Sequence, residues 1–87
     1  MSNQDFLGIV LDYDLERKEI VLEQRNYFKK GDIVEFFGPN TDTVSFEIKT
    51  IIDNNGEEID VVRYPKQIVR IPFEYILEID SMMRIKR

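Results

Sequence analysis

Apolar residues recur along this chain in short blocks, each closed by Gly, Pro, Asn or Asp. The clearest block is Thr43 to Ile52, where Val44, Phe46, Ile48 and Ile52 fall on one face and Ser45, Glu47 and Lys49 on the other. A period of two marks a half-buried strand, so one strand is expected here with Val44, Phe46 and Ile48 inside. Phe6 to Tyr13 is apolar on both faces and carries Gly8 in its interior, where glycine marks a bend or a close backbone approach. Lys18 to Gln24 alternates through Ile20 and Leu22. In Asp32 to Phe37, Val34 and Phe36 share one face while Ile33, Glu35 and Phe37 share the other. Glu58 to Val62, Gln67 to Ile71 and Met82 to Lys86 complete the predicted strands. The intervening turns are Asp14 to Arg17, a loop from Arg25 that closes on Gly31 and Asp32, Gly38-Pro39-Asn40, Asp53 to Gly56, and Tyr64-Pro65. Proline has no N–H and ends ladder pairing, and Asn-Gly suits a tight hairpin. Pro72 to Asp80 fits either a strand or a helical turn through Ile76, Leu77 and Ile79.

This spacing of short strands and turns predicts an all-β fold, a small antiparallel β-barrel of about five to seven strands. Abundant Ile and Val, with no Ala or Trp, agree with pleated rather than helical structure. The 87 residues make one domain, with residues 1–5 expected as a flexible lead. A chain of this size buries roughly 60–65% of its unfolded surface, so its core holds a fold without easily enclosing a deep pocket. No apolar run approaches membrane-spanning length and the start lacks a secretory pattern, so no membrane partner and a cytoplasmic location are expected.

The net charge of −5 gives no overall attraction to nucleic acid, so any such contact needs a local basic patch. There is no cysteine and no histidine, which removes thiolate chemistry, the commonest general base and the commonest metal ligand. No catalytic residue, cofactor or metal is therefore expected. The seventeen carboxylates fall in turns and on polar strand faces. The Asp53–Glu58 segment has its glycine too early for a calcium loop and Tyr64 at the twelfth position. Ser2, Ser45 and Ser81 have no activating partner in sequence.

Three basic clusters stand out: Arg25, Lys29 and Lys30 beside Tyr27 and Phe28; Arg63, Lys66 and Arg70 around Tyr64; and Arg84, Lys86 and Arg87 at the end. Cations beside aromatics can hold single-stranded nucleic acid through phosphates and stacking, or they can simply solubilise an acidic surface. Ile33 and Phe37 are expected to point away from the core, as a docking patch or as surface covered by another segment of the chain. The polar triplet Gln24-Arg25-Asn26 interrupts an apolar strand, and its expected use is to hold a loop by side-chain hydrogen bonds.

Several segments together resemble a known family. They are Gly8-Ile9-Val10-Leu11, Glu23-Gln24-Arg25-Asn26-Tyr27-Phe28, Gly31 to Pro39 (GDIVEFFGP), Glu58-Ile59-Asp60-Val61, and Tyr64 to Ile71 (YPKQIVRI). In this order and spacing the chain, from Leu7 to Arg84, resembles the C-terminal domain of the collagenase-like peptidases, family thirty-two of the unclassified peptidases. The resemblance implies a non-catalytic accessory module, similar to the small β-barrels of translation factors, that follows an upstream catalytic domain. It implies a parent that is a protease on collagen-like substrates or an enzyme of wobble-uridine hydroxylation in transfer RNA. Expected partners are that catalytic domain and transfer RNA, and an RNA-binding module in its own right is the rival reading. Arg25, Tyr27, Lys29, Ile33, Phe37, Tyr64 and Lys66 are the candidate contacts with partner or RNA. Gln24, Asn26, Phe28, Gly31, Asp32, Gly38, Pro39 and Gln67 are expected to serve structure.

Overall fold

The computed structural model describes residues 6–38 and 41–86. Pro39, Arg87 and the lead over residues 1–5 lie outside the described residues. Ten strands follow in order: β1 (Phe6–Asp14), β2 (Glu19–Gln24), β3 (Phe28–Lys29), β4 (Ile33–Gly38), β5 (Thr41–Glu47), β6 (Ile51–Ile52), β7 (Glu58–Ile59), β8 (Val61–Val62), β9 (Ile68–Pro72) and β10 (Met82–Ile85). Eight form one sheet in the order β5-β4-β10-β1-β2-β9-β6-β7, and β3 pairs with β8 in a second. All of these pairings are antiparallel.

The all-β expectation holds among the described residues, but no closed barrel is found: the large sheet is open, with β5 and β7 at its ends. The chain runs from β5 to β6 in three residues, so the first and seventh positions of that sheet are covalently close. The strands outnumber the expectation because two predicted strands are each split and β3 forms within the predicted loop from Arg25.

The Thr43–Ile52 block is one correction. Its strand stops at Glu47, and the chain resumes in β6, where Ile52 pairs with Arg70 of β9. Ile48 stays with the preceding turn: its N–H donates to Asp32 O at 3.0 Å and its carbonyl accepts from Gly31 N at 2.7 Å. The break shifts the phase, so Ile48 and Ile51 are fully buried while Ile52, expected inside, is only half-buried. Glu58 to Val62 is the second: β7 pairs with β6, and β8 with β3. Pro72 to Asp80 is neither strand nor helix beyond the end of β9, yet it buries Phe73 and Leu77.

Inward residues align in rows across the strands. Val10, Leu22 and Val69 are partners across β1, β2 and β9, and Met83, Phe36 and Val44 across β10, β4 and β5. Val44 alone of these six is less than fully buried. Burying each such side chain contributes about 1.5–3 kcal/mol. Strand β1 carries bulges at Leu7 and Leu11. The second turns Tyr13 toward the core, where its hydroxyl donates to Phe73 O at 2.6 Å. Gly8 answers its sequence expectation: a Cβ there would lie 2.8 Å from Glu23 O and 3.0 Å from Leu22 Cγ. At Asp53–Gly56 the left-handed residue is Gly56 (φ 82°) alone, and Gly56 N donates to Asp53 O at 3.0 Å. The hairpin is thus a turn ending in a glycine, not a two-residue Asn-Gly loop.

Candidate functional site

The two basic-aromatic clusters closest to the family-like motifs meet at one end of the molecule. Phe28 pairs with Val62, so Tyr27 and Arg63 adjoin the same end of the β3–β8 pair. Gln24 completes the junction: its carbonyl accepts from Lys66 N at 3.0 Å and its N–H donates to Gln67 O at 2.8 Å. Tyr27 and Tyr64 stand more than half exposed on this end, whereas Phe28 is fully buried beneath it. The polar triplet holds the junction to β1. Asn26 Nδ2 donates to Phe6 O at 2.7 Å, and the N–H groups of Arg25 and Asn26 both donate to Leu7 O, at 2.8 and 3.3 Å. The buried Gln24 side chain donates to Val62 O at 3.4 Å. Gln67 Oε1 accepts from Tyr64 N at 3.4 Å.

The charges at this end are largely compensated. Arg25 pairs with Glu23 at 3.0 Å, Lys29 with Asp32 at 2.9 Å, and Lys30 with Glu58 at 3.6 Å. Asp32 also accepts from Lys29 N at 2.9 Å, and its hydrogen bond to the ammonium holds Lys29 above the usual lysine range. Gly31 turns the chain here at φ 95°. Arg70, read from sequence as part of the Tyr64 cluster, is engaged by Asp14 and Glu19 at 3.3 and 3.5 Å. Among the described residues, Arg63 and Lys66 have no carboxylate within ion-pairing distance.

A second surface lies on the outer face of β4, β10 and β1. Phe37 pairs with Met82, and Met82 with Ile9, so three apolar side chains run in one outward row. Ile33 is exposed on the same face of β4, and Phe37 is half-buried, as expected of outward residues. Part of the cover is internal: the Arg84 guanidinium lies 4.5 Å over the Phe37 ring and is held by Glu35 at 3.1 Å. A shallow cavity of about 470 Å³ opens between Phe37, Gly38, Asp80 and Met82. Gly38 is tight there, since a Cβ would come within 3.0 Å of Ser81 Oγ.

The sequence model of the peptidase family U32 C-terminal domain matches residues 2–84. The chain belongs to this family. It is 46% identical over 83 residues to tRNA hydroxylation protein P1 of Bacillus subtilis, covering 95% of this chain and 20% of that protein. The chain thus spans about one fifth of that relative's length. Two crystal structures of the C-terminal domain of a Geobacillus thermoleovorans protein assigned to the U32 peptidases share the fold. One superposes with a TM-score of 0.91 at 39% identity, over all of this chain and 98% of that one. The other, a selenomethionine variant, gives 0.88 at 42% identity, over 92% of this chain and 98% of that one.

In this U32 C-terminal domain, sequence reasoning missed a third feature. A cleft of about 440 Å³ lies between the turn after β1, the break between β5 and β6, and the stretch after β9. Arg17, Lys18, Lys49, Phe46, Phe73 and Tyr75 line it with Thr50, Pro72 and Glu74. Lys49 lies far in sequence from Arg17 and Lys18, so no local cluster announces the site. The only local signal was Arg17-Lys18 in a turn. The Asp53–Glu58 segment is a hairpin, as read from sequence, and its Asp53 Oδ1 accepts from Asn55 N and Glu57 N, both at 2.9 Å. Among the described residues no group of three or more carboxylates is placed to hold a metal ion, and no helix is long and apolar enough to cross a membrane.

Proposed function

We propose that this U32 C-terminal domain is a non-catalytic accessory module of a larger cytoplasmic protein that hydroxylates the wobble uridine of transfer RNA, and that it positions the catalytic part or its substrate. The observation that carries this reading is the 46% identity to tRNA hydroxylation protein P1, of which the match makes up 20%. The absence of histidine and cysteine supports a role other than catalysis. The docking face is the Phe37–Met82–Ile9 row, with Ile33 at its margin. An outward apolar row of this kind supplies interface area that scattered surface charges do not, and a buried aromatic anchor contributes about 2 kcal/mol or more. Gln24, Asn26, Phe28, Gly31, Asp32, Gly38 and Gln67 serve the scaffold that carries these surfaces.

A domain exchange tests this. The corresponding segment of the Bacillus subtilis protein is replaced by this chain, and hydroxylated uridine in its transfer RNA is measured by mass spectrometry. The wild-type chimera should restore modification. Phe37→Ala should reduce it and loosen domain association, with the isolated domain still folded. Wild-type modification by the Phe37→Ala chimera would contradict the docking role.

A further inference from the structure

We infer that the cleft lined by Arg17, Lys18, Lys49 and Tyr75 is a nucleotide-binding site for single-stranded RNA, and that it is the domain's principal contact with nucleic acid. The inference builds on the transfer-RNA reading but stands on different residues from the docking face. Three observations carry it.

The first is charge. In a chain of net charge −5, Arg17, Lys18 and Lys49 converge on one cleft, and none has a carboxylate within ion-pairing distance among the described residues. Glu74 is the single carboxylate lining the cleft, leaving a local excess of two positive charges. Uncompensated cations are the ones free to take phosphates, because no internal pair must be broken first.

The second is an aromatic series that ends in the open. Phe36 is buried and meets Phe73 at 5.2 Å between ring centroids; Phe73 meets Phe46 at 5.0 Å and Tyr75 at 5.9 Å, the last two edge to face. Tyr75 is 66% exposed and rests edge to face on the buried Phe73, so most of the tyrosine stands open to solvent. Such a platform stacks any base, and the cleft volume of about 440 Å³ falls in the range of small-ligand sites.

The third is backbone strain. Lys18 holds φ 54°, a left-handed conformation that a side chain with a Cβ adopts at a cost. Its carbonyl accepts from Phe73 N at 2.9 Å, which ties the turn to the aromatic stretch. Lys66 at φ 61° and Asp80 at φ 72° share this conformation, so the strain at Lys18 counts only together with the charge and the rings it adjoins.

Fluorescence anisotropy with a labelled single-stranded oligouridylate of about ten nucleotides, within the usual span of such sites, tests the inference on the isolated domain. The Geobacillus domain crystallises as a separate chain, which makes the isolated domain a fair subject. Lys18→Glu with Lys49→Glu should weaken binding at least tenfold and lower the salt slope by about 1.4, two lost phosphate contacts on a single strand. Tyr75→Ala should weaken binding by about tenfold, and Tyr75→Phe should retain it. Arg63→Glu with Lys66→Glu should change it less than threefold. Wild-type affinity in both the charge-reversed and the Tyr75→Ala proteins would overturn the inference, as would an unaltered chain that binds no oligouridylate. If the cleft behaves as expected but the chimera above makes no hydroxylated uridine, the transfer-RNA reading fails and the nucleotide site stands.

Discussion

At the β3–β8 end, Arg25, Lys29 and Lys30 each face a carboxylate and Arg63 and Lys66 do not; in the cleft on the turn after β1, Arg17, Lys18 and Lys49 face none among the described residues. Both regions set cations beside exposed tyrosines; Tyr75 packs on the buried Phe73, and at the other end the buried Phe28 follows Tyr27 in the chain. They differ in how many charges are already spent, three of the five cations at the first and none of the three in the second. A surface ion pair adds little stability, but a cation held by one must leave it before it can hold a phosphate. Basic residues beside aromatics in sequence can therefore already be engaged by acids, here Glu23, Asp32 and Glu58.

The largest effects separate the two buried phenylalanines. Phe28→Ala should lower stability by about 4–5 kcal/mol and Phe73→Ala by about 3 kcal/mol, because the irregular stretch around Phe73 collapses more readily into the space left. Chemical denaturation of both variants checks the order, and equal losses would mean that the cleft wall is as rigid as the strand core. Asn26→Ala should come next, costing about 1–2 kcal/mol by removing the bond to Phe6 O, with no change in oligouridylate binding. A binding defect in a folded Asn26→Ala protein would move function back to the β3–β8 end.

A smaller effect has the opposite sign. Lys18→Gly relieves left-handed strain of about 1 kcal/mol and gives back part of it through the freer unfolded chain, so a net gain of about 0.5 kcal/mol is expected. The same variant should bind RNA less well. A loss of stability instead would show that Lys18 serves the fold.

The smallest effect concerns pH. Asp14 Oδ1 accepts from Arg17 N at 3.1 Å and from Glu16 N at 3.0 Å, and Arg70 lies against its other oxygen. These bonds, that from Arg17 foremost, hold Asp14 below its ordinary value of 3.8. A depressed carboxylate contributes its stabilisation above the unfolded value and loses it as pH falls through the folded one. The turn bearing Arg17 and Lys18 should accordingly loosen below about pH 4, and Asp14→Asn should flatten that dependence in thermal melts.

Strand positions were legible wherever burial alternates, as in Val34–Phe36 and Ile20–Leu22, because period two survives any neighbour. The Ile48–Ile51 shift was not, since it arises where the chain leaves one partner strand for another. Phe37 and Ile33 could be read as outward from the phase of their own strand, and Gln24 to Asn26 as loop-holding from a polar interruption at a strand end. The cleft was hidden for a different reason. Lys49 read as an ordinary polar-face residue, Tyr75 lay in the stretch with no clear period, and only the fold brings them to the Arg17-Lys18 turn.

The most direct test is to titrate the isotope-labelled domain with oligouridylate and follow its backbone amide resonances by nuclear magnetic resonance. The largest shifts should fall at Arg17–Lys18, Lys49–Thr50 and Phe73–Tyr75, with Tyr27–Lys30 and Arg63–Lys66 nearly still. Shifts concentrated at Tyr27–Lys30 and Arg63–Lys66, with the cleft unmoved, would contradict the account.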